Sequence, residues 1–394
     1  MSRNELTLEQ KQQSAGILEF VCQELEITAT QYKDAEKKYK AVGDWLSDSD
    51  DLRLADSSIY SQGSIRVGTT VKPLYREEFD VDLVCYVPHV ESPTPAQIRD
   101  LVGRRLIGNK TYEDLLEPLN RAWRINYANK FHLDITPVIR NPGCDNGGVL
   151  VPDKQLNNWK PSNPNGYAEW FDANAAVQPS YQRAFFESGI ASRDIQPLPD
   201  QQQLKGVLRR SVQLMKRHRD VYFSNKPDAE KACSPISVII TTLATHAYQN
   251  LVGSDSFDND LDLLMAVLRS MPRYIQVTDF AGRNMYYIMN PSTDGENFAE
   301  KWNVHPERAD WFYAWHKAAV NSLEEFVYGE LQGIDKVQDL LTETFGASVS
   351  KRALEHYSNV VSGARSKGAL SMGATGGLTT GAGREIPKNT FYGE

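Results

Sequence analysis

Residues 62–87 read QGSIRVGTTVKPLYREEFDVDLVCYV and combine a glycine–serine pair with a strand that carries two carboxylates. In the second half of this stretch, apolar residues alternate with other residues, as in a strand buried on one side. The apolar face consists of Phe79, Val81, Leu83, Cys85 and Val87. Asp80 and Asp82 share the opposite face, where they repel each other and need a counter-charge. Because Mg²⁺ binds a few carboxylates together with substrate phosphates, the pattern predicts a Mg²⁺ site.

A second acidic strand is predicted at residues 130–139, KFHLDITPVI. One face carries Phe131, Leu133, Ile135 and Ile139, and the other carries His132, Asp134, Thr136 and Val138. If this strand lies beside the first, Asp134 joins Asp80 and Asp82. Three carboxylates can hold two Mg²⁺ ions for an in-line displacement at phosphorus.

The Gly63-Ser64 pair fits a phosphate site. Glycine lets backbone approach a phosphate closely, and turn N–H groups and a serine hydroxyl can bind phosphate oxygens. An isolated Asp-x-Asp is usually a solvated surface pair, and the acidic loop at 47–56 is interpreted as a solvated turn. The combination of the turn with two acidic strands in the correct phase is more specific and predicts an active site.

The order of these motifs resembles that of the polymerase-β-like nucleotidyltransferases. The form QGS…DVDLV…LDITPVI is most similar to the bacterial cGAS/DncV-like nucleotidyltransferases of the CBASS systems, which make cyclic oligonucleotide signals in anti-phage defence. The resemblance implies an α+β fold with two lobes, a mixed-sheet core lobe and a helical C-terminal lobe, and an active site in the cleft between them. It implies that Asp80 and Asp82 bind two Mg²⁺ ions, or Mn²⁺, and that Asp134 binds the ion that activates the acceptor hydroxyl.

Further nucleotide contacts are implied by the same resemblance. Residues 204–222 and 232–248 are predicted helices, the second with Ser234 as N-cap. A lysine on the first helix and a serine at the start of the second hold the donor triphosphate in the family. These roles carry over to Lys216 and Ser234, with Ser237 as the alternative serine.

The segment at 290–302 also resembles one near the nucleotide pocket. Asn290 and Asn297 are then candidates to contact a base or ribose, and the alternative is a loop followed by a helix cap.

Composition limits the partners. The 394 residues carry a net charge of −8, whereas a general nucleic-acid binder is usually basic, so small nucleotides are favoured over long DNA or RNA. The expected substrates are nucleoside triphosphates, ATP and also GTP. The four cysteines are scattered, without zinc-site spacing. No apolar run approaches the roughly 20 residues that span a bilayer, so a cytoplasmic protein without membrane contact is expected.

Three regions are expected along the chain. The core lobe is predicted at 1–203, with one long, possibly broken helix at 7–46 and long loops at 140–203. The helical lobe is predicted at 204–361, and a flexible, glycine-rich tail at 362–394. In some members of the resembled family, a partner enzyme of ubiquitin-activating type joins the C-terminus to other molecules, so such a partner is a further candidate.

The predicted function is synthesis of a cyclic di- or trinucleotide second messenger from nucleoside triphosphates, with release of pyrophosphate. Two alternatives stay open. One is a nucleotidyltransferase that modifies an RNA 3′ end or a protein hydroxyl. The other is a catalytically silent nucleotide sensor, which would not need all three carboxylates.

Overall fold

The computed structural model describes residues 8–74, 78–127, 131–155, 157–181, 206–329 and 334–366, and the pairs 371–372, 378–379 and 384–385. The helices are α1 (Leu8–Leu25), α2 (Ala29–Ser47), α3 (Gly63–Arg66), α4 (Pro95–Ile107), α5 (Pro164–Ala176), α6 (Val207–Ser224), α7 (Asp228–Lys231), α8 (Ser237–Ser254), α9 (Asp260–Ser270), α10 (Glu307–Tyr328), α11 (Ile334–Phe345) and α12 (Ala347–Ser366). The strands are β1 (Ser58–Ser61), β2 (Phe79–Tyr86), β3 (Leu116–Pro118), β4 (Trp123–Tyr127), β5 (Phe131–Arg140), β6 (Val149–Asp153), β7 (Asn158–Ser162), β8 (Ser180–Tyr181), β9 (Ser256–Phe257), β10 (Gln276–Phe280), β11 (Arg283–Tyr287), β12 (Ser371–Met372), β13 (Leu378–Thr379) and β14 (Arg384–Glu385).

The chain forms two compact units, each assembled from separate stretches of sequence. The sheet unit comprises residues 26–176 and 275–306, and the helical unit comprises residues 1–25, 177–274 and 307–394. The predicted boundary between 203 and 204 falls outside the described residues. The predicted linear division differs from this arrangement, because α1 and residues 177–181 belong to the helical unit and residues 275–306 to the sheet unit.

A capping box divides the predicted N-terminal helix. The Thr28 hydroxyl accepts a hydrogen bond from the Gln31 backbone N–H at 3.2 Å, and the Gln31 side chain accepts one from the Thr28 N–H at 2.8 Å. This reciprocal pair satisfies the free N–H groups that begin α2. The amphipathic pattern continues through the break, so periodicity alone does not reveal that α1 and α2 serve different units.

The sheet unit is built on a seven-stranded sheet. Five strands have the order β1-β2-β5-β4-β3, while β6 pairs with β5 and β7 pairs with β6. Strands β2 and β5 pair in parallel, and the other neighbours pair antiparallel. The predicted apolar faces of both strands, apart from the half-buried Ile139, are buried in one core with side chains of α2 and α4. Burial raises the pKa of the Cys85 thiol to about 12, as suits a small core residue.

The opposite face of the sheet changes character along its length. At one end it carries the acidic residues. At the other end a second apolar cluster forms from Val84, Val138, Val149 and Val151. Because these side chains exclude water, only one end of this face is polar.

The prediction of long loops at 140–203 is wrong for part of that stretch. Strands β6 and β7 form an antiparallel hairpin, and α5 follows. Asparagine, glycine and proline mark the ends of these elements here. The Asn163 side chain accepts a hydrogen bond from the Gly166 N–H at 3.0 Å, next to the Pro164 that begins α5. Residues 182–205 lie outside the described part.

The helical unit encloses a buried polar contact. The Trp315 indole N–H donates a hydrogen bond to Nδ1 of His218 at 3.1 Å. Burial lowers the pKa of His218 to about 4, so this imidazole is neutral near pH 7 and accepts the bond. Helix α1 joins the same unit through an ion pair between Glu19 and Arg210. No helix among the described residues is long and apolar enough to cross a membrane.

The C-terminal region has more structure than its composition predicts. Helix α12 continues to Ser366, and β12 pairs antiparallel with both β13 and β14. Each of these strands has two residues, which is too short for the alternation that marks a strand in sequence.

Candidate active site

Three carboxylates are brought together by the register of two parallel strands. Asp82 of β2 lies opposite Asp134 of β5, and Asp80 lies opposite His132. In a strand the side chains two residues apart share a face, so all three carboxylates lie on the same side of the sheet. The prediction that the second acidic strand lies beside the first is confirmed. The side chain of Asp80 is 59% exposed and that of Asp134 is 15% exposed.

Arg124 of β4 is the cation beside this acidic face. It lies opposite Asp134 in the antiparallel β4–β5 pair. Its guanidinium donates from Nε to Oδ1 of Asp134 at 2.7 Å and from Nη2 to Oδ2 at 2.8 Å. The same Nη2 lies 3.3 Å from Oδ1 of Asp80. The bond to Asp134 raises the pKa of Arg124 further above its usual value, so the group stays charged.

His132 forms a second contact with the acidic face. Its Nδ1 lies 3.4 Å from Oδ1 of Asp80, and its Nε2 lies 3.3 Å from Oε2 of Glu78. Asp80 therefore lies between an imidazole and a guanidinium. These contacts orient its carboxylate although most of the side chain is exposed.

The glycine–serine turn packs directly on Asp82. Gly63 has a φ of +64°, and a Cβ placed on it would lie 2.3 Å from Oδ2 of Asp82. The Gln62 N–H donates to the Asp82 carbonyl at 2.8 Å. Only glycine fits here without strain, for both the backbone angle and the space. The turn and the acidic strand therefore form one assembly, as the sequence predicts.

Ser64 and Arg66 complete the turn. The Ser64 carbonyl accepts the Thr69 N–H at 2.9 Å, and its hydroxyl lies 3.4 Å from that of Thr70. Arg66 donates to Asp172 of α5 at 2.7 Å. The turn is thus tied to the sheet at one end and to a helix at the other.

The remaining predicted triphosphate contacts belong to the helical unit. Lys216 lies on α6 and is 5% exposed. The prediction that Ser234 is the N-cap is wrong, because α8 begins at Ser237 with Ile236 as its N-cap. The Ser234 N–H donates to the Lys231 carbonyl at 3.0 Å, so Ser234 closes the turn after α7. Both Pro235 and Ile236 separate it from α8.

Ser237 lies at the start of α8 beside a cation. Its hydroxyl accepts a hydrogen bond from Nη1 of Arg219 at 3.0 Å. The same Nη1 donates to the Pro235 carbonyl at 3.0 Å. Of the two candidate serines, the structure therefore favours Ser237.

Asn290 and Asn297 use their side chains within their own segment. Asn290 donates to Glu296 at 2.7 Å and accepts from Ser292. Asn297 accepts from the Ile288 and Ala299 N–H groups and donates to the Tyr286 carbonyl. These bonds favour the interpretation of a structured loop over direct contacts to a base or ribose.

The acidic face has the donor chemistry of a Mg²⁺ site. Its three carboxylates are hard oxygen donors on neighbouring strand positions. Within the described ranges, no group of three or more His, Cys, Asp or Glu side chains is already arranged as a metal site. Asp134 is ion-paired with Arg124 instead.

The acidic loop at 47–56 is a different case. The Arg53 guanidinium lowers the pKa of Asp51 to about 2, consistent with an ion-paired surface turn.

Sequence reasoning missed Arg124. The signal was present, because Trp123, Ile125 and Tyr127 alternate with polar residues just before the strand predicted at 130–139. If a short turn joins this segment to that strand, antiparallel pairing counted back from the turn sets Arg124 opposite Asp134. His132 was placed on the correct face without a role.

Comparison with known proteins identifies the chain's relatives. Residues 13–174 match the family described as the Second Messenger Oligonucleotide or Dinucleotide Synthetase domain. The chain is 29% identical to a c-di-GMP synthase of Roseivirga ehrenbergii over 99% of this chain and 100% of that protein. It is 26% identical to a cyclic AMP-AMP-AMP synthase of an Acinetobacter species, over 37% of this chain and 42% of that protein.

A solved structure supports the fold. The CD-NTase CdnG of Bradyrhizobium diazoefficiens, determined in complex with GTP, matches with a TM-score of 0.65 at 21% identity. The match covers 87% of this chain and 97% of that one. The α+β fold predicted from the sequence is thereby confirmed.

The contact between Gly63 and Asp82 can be tested by substitution. Gly63→Ala is expected to lower the free energy of unfolding by about 2–5 kcal/mol, because a left-handed residue costs about 1–2 and overpacking about 1–3 kcal/mol. The matched control is Gly147→Ala, since Gly147 has a φ of +86° and no atom within 4 Å of its added Cβ. Denaturant unfolding of both variants isolates the steric part. Equal losses of stability would contradict the contact with Asp82.

Proposed function

We propose that the chain is a bacterial cGAS/DncV-like nucleotidyltransferase and that it joins nucleoside triphosphates into a cyclic dinucleotide with release of pyrophosphate. The observation that carries this proposal is the register that sets Asp82 beside Asp134, with Gly63 packed on Asp82. A nucleotide sensor without catalysis would not need all three carboxylates on one face.

Each group of the site has a proposed role. Asp80, Asp82 and Asp134 would hold Mg²⁺ ions, or Mn²⁺, which when bound neutralise phosphate charge and favour ionisation of the acceptor hydroxyl. The 2′- or 3′-hydroxyl oxygen of one nucleotide loses its proton to solvent and forms a bond to the α-phosphorus of another, and the bond to pyrophosphate breaks. A second displacement of the same kind within the linear dinucleotide closes the ring and releases the second pyrophosphate. The Gly63-Ser64 turn positions phosphate through its backbone and the serine hydroxyl. The protein's contribution is positioning and charge.

Guanine is the proposed base. The relative that matches the whole chain is named a c-di-GMP synthase, whereas the named cyclic AMP-AMP-AMP synthase matches only 37% of it. The proposed substrate is therefore GTP. A role in anti-phage defence within the cytoplasm is part of the same proposal and follows from the family.

A product assay tests the activity. Purified protein with Mg²⁺ and GTP alone is expected to yield a cyclic dinucleotide, identified by mass spectrometry. Asp82→Asn is expected to reduce product formation by at least roughly a hundredfold, the scale for losing one charge-stabilising group. Its stability should not fall, because the change keeps the shape of the side chain and relieves repulsion between carboxylates. Asp114→Asn, on an exposed turn of the same unit, is the matched control.

Other outcomes of this assay would separate the alternatives. A cyclic product from ATP alone, or only from a mixture, would correct the base assignment. Product that appears only when RNA or a protein is added would replace the synthase with a transferase to a macromolecule. Absence of pyrophosphate under every condition would favour a sensor.

Lys216 and Ser237 are the proposed contacts to the donor triphosphate. The family resemblance carries this assignment, and the position of Ser237 at the start of α8 supports it. A helix N-terminus favours an anion, and Arg219, which is ion-paired with Asp220 at 2.7 Å, lies beside the Ser237 hydroxyl.

Nucleotide titration tests Lys216. Lys216→Met keeps most of the side-chain volume but removes the charge, and it is expected to weaken nucleotide binding roughly ten- to a hundredfold, the worth of one charge-assisted hydrogen bond. Lys231→Met is the control, because Lys231 is exposed on the short helix α7 of the same unit. Melting curves check that the core survives. Unchanged nucleotide affinity in Lys216→Met would move the role to another cation, such as Arg219.

The C-terminus is the proposed target of a partner of ubiquitin-activating type. This proposal rests on the family alone, and residues 386–394 lie outside the described part. Deleting residues 367–394, just after α12, is expected to leave product formation by the purified protein unchanged. In cells that contain the partner, the deletion should abolish covalent adducts at the C-terminus, as measured by mass spectrometry. Loss of product formation in the purified deletion variant would show that the tail belongs to the enzyme.

A further inference from the structure

Arg124 contacts the same carboxylate oxygens that a bound metal ion would contact. Nε and Nη2 of its guanidinium donate to the two carboxylate oxygens of Asp134 at 2.7 and 2.8 Å. Nη2 also lies 3.3 Å from Oδ1 of Asp80. A bidentate pair of this kind is among the stronger hydrogen-bonded contacts in proteins. Both oxygens of Asp134 are thus engaged by a group of the protein itself.

The electrostatic balance explains why a cation lies there. The three neighbouring carboxylates lie on one face of the sheet and repel each other. The side chain of Asp134 is only 15% exposed, so water screens its charge weakly. One guanidinium shared by Asp134 and Asp80 offsets part of this repulsion. The acidic face is therefore stabilised by the protein's own charge without any bound ion.

From this geometry we propose that Arg124 is a positioning residue that competes with divalent cations for Asp134 and Asp80. The inference rests on the proposed function, in which these carboxylates are metal ligands. A cation that arrives without a nucleotide must displace the guanidinium with no ligands from the protein other than these carboxylates to compensate. A cation that arrives with a triphosphate brings phosphate oxygens as further ligands, which offsets the lost ion pair. Arg124 would thus couple metal binding to nucleotide binding.

The register of the sheet gives Arg124 room to act in this way. It lies on β4 next to β5, and its side chain is 24% exposed, so it has access to solvent on one side. Displacement of the guanidinium from Asp134 requires a change of side-chain rotamer only. The β4–β5 backbone pairing can stay intact.

Metal binding without nucleotide tests the proposal. Binding of Mn²⁺ to the nucleotide-free protein can be followed by the electron paramagnetic resonance signal of free Mn²⁺. Arg124→Gln is expected to bind Mn²⁺ roughly tenfold tighter or more than wild type, because a charged hydrogen-bonding competitor is gone. The gain should disappear in the double variant Arg124→Gln with Asp134→Asn.

A matched control is available in the same unit. Arg121 also joins two carboxylates, with contacts of 2.9 Å to Asp153 and 3.2 Å to Glu300. Arg121→Gln should leave Mn²⁺ binding unchanged. Thermal melting gives a second readout: Arg124→Gln should lose stability without metal and recover it with Mg²⁺ more strongly than wild type.

The outcomes separate this inference from the proposed function. Equal or weaker Mn²⁺ binding by Arg124→Gln would overturn the competition, even if wild type makes the cyclic product. Tighter binding would support it even if no cyclic product forms, in which case the proposed function alone fails. If neither wild type nor Arg124→Gln bound Mn²⁺, the carboxylates would not be metal ligands, and the inference would be wrong.

Discussion

Like charges on adjacent strand positions are the constraint on which the sheet unit depends. Parallel pairing of β2 and β5 sets Asp82 beside Asp134, with Asp80 two residues before Asp82. Such a face cannot pack against an apolar core. It stays at the polar end of the sheet, while Val84 and Val138 cover the other end of the same face. The proposed catalytic chemistry and the apolar packing therefore use different ends of one surface.

The same constraint accounts for the elements around the acidic face. Arg124 supplies charge from the neighbouring strand, and His132 lies beside Asp80. The turn at Gly63 approaches Asp82 so closely that any side chain on it would collide. Substrate phosphate brought to this turn would lie near the carboxylates, so the proposed reaction needs positive charge in addition to that of Arg124.

The predictive power of the sequence varied with the range of the interaction. The alternating apolar faces of β2 and β5 followed from local pattern, and their burial was confirmed for all positions but Ile139. The N-cap of α8 was misplaced by two residues, at Ser234 instead of Ile236, because Ser234 followed by proline has the local pattern of a helix start. The turn after α7 uses Ser234 instead. Local pattern cannot decide between two such uses of one serine.

By itself, the sequence determined the chemistry of the acidic face and the kind of fold that presents it. Period-two alternation and the spacing of Gly63, Asp80, Asp82 and Asp134 suffice for that, because strand geometry places alternate residues on one side. Only the tertiary structure decided which cation balances the carboxylates and which segments form each unit. Arg124 meets Asp134 through strand pairing, and α1 joins α6 through Glu19 and Arg210, far apart in sequence. Such contacts depend on how separate elements pack, a property that no local window of residues contains.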